Sequence, residues 1–174
     1  MNRRTVLVAL IGLVAIPAQA LYDPKPDEGL ASVQGEWSGS LTYRDYSKPD
    51  RMVTLPTRLF VALSAPSELV FHYVFADGPG KTVYSYEKMR FDFGARRVAW
   101  ESGIAERSQT AFDIVSNATE GGIQTIVFER KNEQGVDRYR MVLAMRGLTI
   151  AKDEIQSDGT VLFRNKLEFK RGGN

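Results

Sequence analysis

Residues 53–75 read VTLPTRLFVALSAPSELVFHYVF, and this stretch decides the fold class. Apolar side chains recur at most second positions, first from Val53 to Leu63 and again from Leu69 to Phe75. A period of two places alternate side chains on opposite faces of an extended strand. Because only a short Pro-bearing segment separates the two runs, the stretch predicts two antiparallel strands joined by a tight connection.

The same pattern continues along the rest of the chain. Turn-forming Gly, Pro, Asn and Asp residues separate the runs, and no segment has the 3.6-residue period of a crossover helix. Closure of such a meander removes exposed strand edges. The sequence therefore predicts an all-β fold, a single antiparallel up-and-down β-barrel of about ten strands. The further runs are residues 37–46, 82–88, 89–93, 97–101, 110–117, 123–131, 136–146, 149–156 and 161–170.

The first 20 residues, MNRRTVLVALIGLVAIPAQA, have the composition of an export signal. Arg3 and Arg4 precede a short apolar run, and Ala-Gln-Ala ends the segment, as in signal peptides cleaved by signal peptidase. We expect residues 1–20 to be removed and the chain to be exported to the periplasm or beyond, by general secretion or the twin-arginine route. No membrane span is expected to remain. Residues 21–34 are expected to be a lead-in, and residues 35–171 the barrel domain.

Charge and composition exclude several classes of function. The chain has 174 residues, no cysteine and one histidine. Two of its 23 basic residues lie in the expected signal peptide, so the remaining 21 balance the 21 acidic residues. A neutral body does not favour nucleic acid, whose binding depends on phosphate neutralisation. Disulfides, thiolate metal sites and a cysteine nucleophile are excluded.

The segment Gly35-Glu36-Trp37-Ser38-Gly39 opens the first long strand. This Gly-x-Trp-x-Gly pattern before a ten-strand meander resembles the calycin group, which includes lipocalins, fatty-acid-binding proteins and nitrobindin-type barrels. The resemblance covers most of residues 35–170. It implies that Trp37 closes one end of the barrel and that Gly35 and Gly39 allow tight packing around it. Lipocalins usually end with a helix, whereas this chain ends with a predicted strand.

The sequence predicts neither an enzyme nor a cofactor or metal site. His72 is the one histidine, and it lies early in the chain, whereas nitrobindin-type barrels place their haem-ligating histidine late. Alternation places His72 on the outer face. There is no Gly-x-Ser-x-Gly motif. Four acidic side chains have the chemistry for hydrolysis, and most of them are expected to be solvated or to lie opposite arginines across strands. These are Glu87, Glu101, Asp113 and Glu129.

Aromatic residues on the inward parity supply the candidate ligand site. Tyr43, Phe71, Tyr73 and Phe75 are expected to line the wall, with Phe71 near the middle of its strand. Asp45 is expected to point inward at a barrel mouth as a polar group for a ligand. The alternative for Asp45 is an ion pair with Arg51 or Arg58.

Arg138 and Arg140 alternate with Tyr139 and Met141, and Arg140 is a candidate partner for a ligand carboxylate. The predicted function is the binding of a small hydrophobic or amphipathic molecule inside an exported barrel. Two alternatives remain. The interior is filled and the protein is an accessory or interaction module of the cell envelope, or the mouth holds an enzyme site built from Asp45, Tyr73 and an arginine.

Overall fold

The computed structural model describes residues 27–172, which form one short helix and ten strands. The expected signal peptide and residues 21–26 of the lead-in lie outside the described residues. All ten strands lie within residues 35–171. The elements are α1 (Glu28–Ser32), β1 (Gly35–Arg44), β2 (Met52–Ala65), β3 (Glu68–Ala76), β4 (Thr82–Asp92), β5 (Arg97–Ser102), β6 (Ser108–Glu120), β7 (Ile123–Asn132), β8 (Gly135–Ala144), β9 (Gly147–Gln156) and β10 (Val161–Lys170).

The strands form a closed antiparallel barrel in which each strand pairs with the next along the chain. The first and last strands complete the circle, with Leu41 opposite Leu167 and Gly39 opposite Phe169. Closure satisfies the backbone groups that an open sheet would leave at its two edges. The prediction of an all-β, up-and-down barrel of about ten strands is confirmed.

One strand differs from the sequence prediction. The sequence predicts two runs, 82–88 and 89–93, but residues 82–92 form the single strand β4, which pairs continuously with β3 from Thr82 to Arg90. Ser85 and Glu87 face inward in its first half although they are polar, whereas Tyr84 and Tyr86 face outward. In the first half of β4 the aromatic side chains therefore lie on the outer face, whereas in the second half Met89 and Phe91 lie on the inner face. This change of face made one strand look like two in the sequence.

One end of the barrel is closed by α1, Trp37 and the end of β10. Leu30 and Val33 are fully buried, and the indole nitrogen of Trp37, Nε1, donates to the carbonyl of Val33 at 2.8 Å. The guanidinium of Arg171 lies 4.7 Å from the centre of the Trp37 ring and donates to the carbonyls of Ser32 and Gln34. We call this the closed end.

Gly39 lies where β1 and β10 meet. A Cβ atom at this position would lie 1.9 Å from the carbonyl oxygen of Glu168, a distance no side chain tolerates. Gly35 instead has a φ of 114°, a conformation that glycine adopts readily. The two glycines beside Trp37 therefore have different physical requirements, close approach in one case and backbone conformation in the other.

Candidate ligand-binding site

The opposite end, which we call the open end, is surrounded by five connections between strands. They are residues 45–51, 77–81, 103–107, 133–134 and 157–160. At this end the interior is incompletely filled. Two cavities open to solvent at this end, and their linings differ in chemistry.

The first, which we call the apolar cavity, has a volume of about 380 Å³. Its walls are mainly hydrocarbon and aromatic, and charged side chains lie at its margin. This volume falls within the range of about 300–1,000 Å³ that small-molecule sites occupy. The lining residues are Leu41, Tyr43, Arg44, Tyr46, Leu55, Phe75, Asp77, Val83, Arg164 and Asn165.

Two arginines at the margin of the apolar cavity differ in their partners. Arg164 lies 3.6 Å from the Glu154 carboxylate and stacks on the Tyr46 ring at 3.7 Å. Arg44 donates to the carbonyls of Pro49 and Phe163. Among residues 27–172 Arg44 makes no ion pair with a carboxylate, so its charge is not neutralised by the described part of the protein.

The second, which we call the polar cavity, has a volume of about 250 Å³. Hydroxyl and charged groups share its lining with three aromatic rings. The residues are Glu87, Trp100, Ser102, Thr110, Phe112, Arg130, Asp137, Tyr139 and Lys152.

A chain of ion pairs joins the two cavities across β7 to β10. Asp137, which is only 6% exposed, lies 3.0 Å from both Arg130 and Lys152. Glu154 lies 3.4 Å from Lys152 and continues the chain to Arg164. Burial acts to raise the pKa of Asp137, but the hydrogen bonds from Lys152 and Arg130 outweigh it and lower the pKa. Asp137 is therefore a carboxylate fully engaged by two cations.

Glu87 is the acidic group of the polar cavity that lacks such partners. Among the described residues it makes no ion pair, and it faces inward from β4 opposite Phe71 of β3. Burial raises its pKa from 4.5 to about 7, and interaction with the Tyr73 hydroxyl partly opposes this rise. The Tyr73 side chain is 1% exposed, and its hydroxyl, close to Glu87, falls short of a regular hydrogen bond. Burial, with the nearby Glu87 carboxylate, raises the pKa of Tyr73 well above its usual value.

The structure divides the four predicted wall residues into two groups. Tyr43 and Phe75 line the apolar cavity, whereas Phe71 and Tyr73 are buried in the core. The Tyr73 ring stacks between those of Phe71 and Phe75, with centroids 6.0 and 5.6 Å away. Tyr73 therefore lies in the core and not at the rim of the barrel, and its hydroxyl lowers the pKa of Glu87.

Asp45 and Arg140 lie away from both cavities. β1 ends at Arg44, and the Asp45 carboxylate accepts hydrogen bonds from the Ser47 backbone and hydroxyl at 2.9 and 2.7 Å. These bonds lower the pKa of Asp45 and hold the loop. Arg140 is exposed on the outer face. Arg138 is also outward-facing and pairs with Glu129.

His72 is exposed on the outer face of β3, as alternation predicts, with its ring edge against Tyr86. A hollow of about 520 Å³ beside it, which also borders Phe60 and Val74, lies outside the barrel. Among residues 27–172 no group of three or more His, Asp or Glu side chains is arranged to hold a metal. In the same residues no helix is long and apolar enough to cross a membrane.

Comparison with known proteins extends the fold assignment but not the function. No family model and no curated protein matches the sequence. Among solved structures, the crystal structure of Rv2717c from M. tuberculosis is similar, with a TM-score of 0.61 and 10% identity. The similarity covers 84% of this chain and 96% of that one. At this identity it supports a shared barrel fold alone.

Proposed function

We propose that this protein is an exported, non-enzymatic barrel of calycin type that binds a small hydrophobic or amphipathic molecule at its open end. The observation that carries the proposal is the apolar cavity, which opens at the mouth of the barrel and has Leu41, Leu55, Phe75 and Val83 in its lining. Contact with these side chains removes apolar ligand surface from water, which favours binding by about 25 cal/mol per Å² before the costs of association.

The polar part of the ligand is assigned to the margin of this cavity. Arg44 there is bonded to carbonyls and makes no ion pair in the described residues. A guanidinium presents several N–H donors that suit a carboxylate or sulfonate. An amphipathic anion with its hydrocarbon part against Leu55 and its acidic group towards Arg44 satisfies both features.

The test is a calorimetric titration with 8-anilinonaphthalene-1-sulfonate, which combines aromatic rings with an anionic group. We expect saturable binding that decanoate displaces. Leu55→Trp fills the cavity and should abolish binding, whereas Thr54→Trp, on the outer face of the same strand, should bind like the wild type. Arg44→Gln should weaken binding by roughly 10- to 150-fold, since a charge-assisted hydrogen bond contributes about 1.5–3 kcal/mol.

Thermal melting of each variant shows that it is folded before its binding is compared. Absence of saturable binding by the folded wild type would contradict the proposal and favour an interaction module. Binding by Leu55→Trp equal to that of Thr54→Trp would contradict the assignment to the apolar cavity. Export is tested separately, since N-terminal sequencing of protein recovered from the cell envelope should begin at Leu21.

A further inference from the structure

The polar cavity contains one carboxyl group that nothing in the described structure neutralises. Glu87 lines the cavity without an ion pair in the described residues, and it interacts with the buried Tyr73 hydroxyl, which lacks a regular hydrogen-bond partner. The Glu87 side chain is half-buried, and a partly desolvated charge without a partner is costly. Glu87 therefore has no ion-pair partner among the described residues.

The two basic side chains of the same cavity already form ion pairs with other acids. Arg130 and Lys152 each lie 3.0 Å from an oxygen of Asp137, and Lys152 also approaches Glu154. When Glu87 is ionised, two acids and two bases line the cavity. An anionic ligand would have to compete with Asp137 for its cations, whereas a cationic ligand meets an acid with no competitor.

The aromatic lining offers an apolar surface beside Glu87. Trp100 and Tyr139 meet edge to face with centroids 4.8 Å apart, and Phe112 lies 5.8 and 5.3 Å from them. Two of these rings already have cations of the protein over their faces, since Arg130 lies 5.7 Å from the centre of the Phe112 ring and Lys152 lies 5.7 Å from that of Tyr139. The rings can therefore contact the hydrocarbon part of a ligand, whereas the preference for a cation comes from Glu87. Here the cluster borders the same cavity as Glu87.

We propose that the polar cavity binds a small organic ammonium ion, with its nitrogen against the Glu87 carboxylate and its apolar part against Trp100, Phe112 and Tyr139. This site goes beyond the proposed function because it has its own cavity and its own lining. A one-ring amine matches its volume of about 250 Å³.

The pH dependence of such binding follows from the groups around the cavity. Asp137 from β8 is held ionised by its cations, and the pKa values of Tyr73 from β3 and Tyr139 from β8 are raised by burial. Arg130 from β7 and Lys152 from β9 are the basic side chains of the lining. Glu87 is then the lining group that changes charge near neutrality, so an ammonium ion should bind more tightly as pH rises through about 7.

The experiment is a calorimetric titration of the full chain with benzylamine, benzyl alcohol and benzoate, which share one ring and differ in charge. At about pH 8, where Glu87 is ionised, we expect benzylamine to bind at least about tenfold more tightly than the other two. Glu87→Gln should remove this preference. Glu101→Gln is the matched control, since Glu101 pairs with Lys88 and Arg107 on the outer face.

A second readout reports on Glu87 directly. At about pH 6 benzylamine binding should release close to one proton, measured by calorimetry in buffers of different ionisation enthalpy, and Glu87→Gln should release none. No benzylamine binding, tighter binding of benzoate, or an amine preference that persists in Glu87→Gln would overturn the proposal. Titration of the same samples with 8-anilinonaphthalene-1-sulfonate reports on the apolar cavity, so failure of one proposal is distinguishable from failure of the other.

Discussion

The closed and open ends of the barrel are built from the same ten strands but contain opposite kinds of side chain. At the closed end Leu30, Val33 and Trp37 are at most 2% exposed, and apolar packing fills the interior. At the open end the inward positions carry Glu87, Asp137 and other polar groups around two cavities. A protein without disulfides must obtain its stability from packing. The closed end therefore stabilises the fold, and the open end is available for binding.

The largest loss of stability should come from a substitution at the closed end. Trp37→Ala removes a buried aromatic ring and its hydrogen bond to Val33, so we expect the free energy of unfolding to fall by about 3–5 kcal/mol. Tyr46→Ala at the open end removes a ring that is 79% exposed and should change the free energy of unfolding by less than about 0.5 kcal/mol. Urea denaturation of both variants measures the difference, and equal losses would contradict the division of roles.

The next largest effect on stability should come from Glu87 at the open end. The pKa of Glu87 rises from 4.5 in the unfolded chain to about 7 in the folded protein, so the folded state binds more protons between these values. The contribution of Glu87 to stability should be greatest below about pH 4.5, decline as pH rises, and level off above about pH 7, with a total loss of roughly 3 kcal/mol.

Urea denaturation of Glu87→Gln and the wild type across this pH range isolates the contribution of Glu87. The difference between them should vary with pH, whereas the difference between Glu101→Gln and the wild type should stay nearly constant. A constant difference for Glu87→Gln would show that this carboxyl is solvated like those on the outer face.

A smaller effect is expected where β1 meets β10. Gly39→Ala would place a methyl group 1.9 Å from the Glu168 carbonyl oxygen, and the strands would have to move apart. We expect a loss of about 1–3 kcal/mol in unfolding free energy. Gly147→Ala in β9, where a Cβ meets no atom within 4 Å, is the matched control and should be nearly neutral. Equal melting temperatures for the two variants would contradict this packing.

The smallest expected effect concerns the link between the core and the polar cavity. Tyr73→Phe removes a buried hydroxyl that makes no regular hydrogen bond, so stability should change by at most about 1 kcal/mol. Because that hydroxyl lowers the pKa of Glu87, its removal should raise this pKa above about 7. Carboxyl NMR titration of Tyr73→Phe measures the change, with Tyr43→Phe as the control, and a lowered pKa would contradict the contact.

Alternation in the sequence predicts the barrel and the inward direction of Trp37, Tyr43 and Phe75. These residues belong to strands whose inward face is consistently apolar, so the pattern and the burial agree. Asp45 shows a limit of this reasoning. Alternation assigns a direction only within a strand, and β1 ends one residue earlier, where Asp45 bonds to its own loop.

Glu87 was expected on the surface with Glu101, Asp113 and Glu129, and those three do pair with basic residues on the outer face. Its own strand carries Tyr84 and Tyr86 on the outer face, so the apolar pattern there points the wrong way. Its inward direction depends on pairing with Phe71 of β3, a relation between strands that periodicity within one strand does not contain. The signal that could have identified the inward direction of Glu87 is a strand with polar residues on its inner face and aromatic residues on its outer face.

The central claim is that ligand binds at the open end and that the closed end is packed. Methyl NMR during titration with 8-anilinonaphthalene-1-sulfonate tests both halves of this claim in one sample. We predict saturable shifts for Leu41, Leu55 and Val83 in the apolar cavity and unchanged signals for Leu69, Leu143 and Leu148 in the packed core. Shifts confined to the outer face around His72, or shifts as large in the core as in the cavity, would contradict the account.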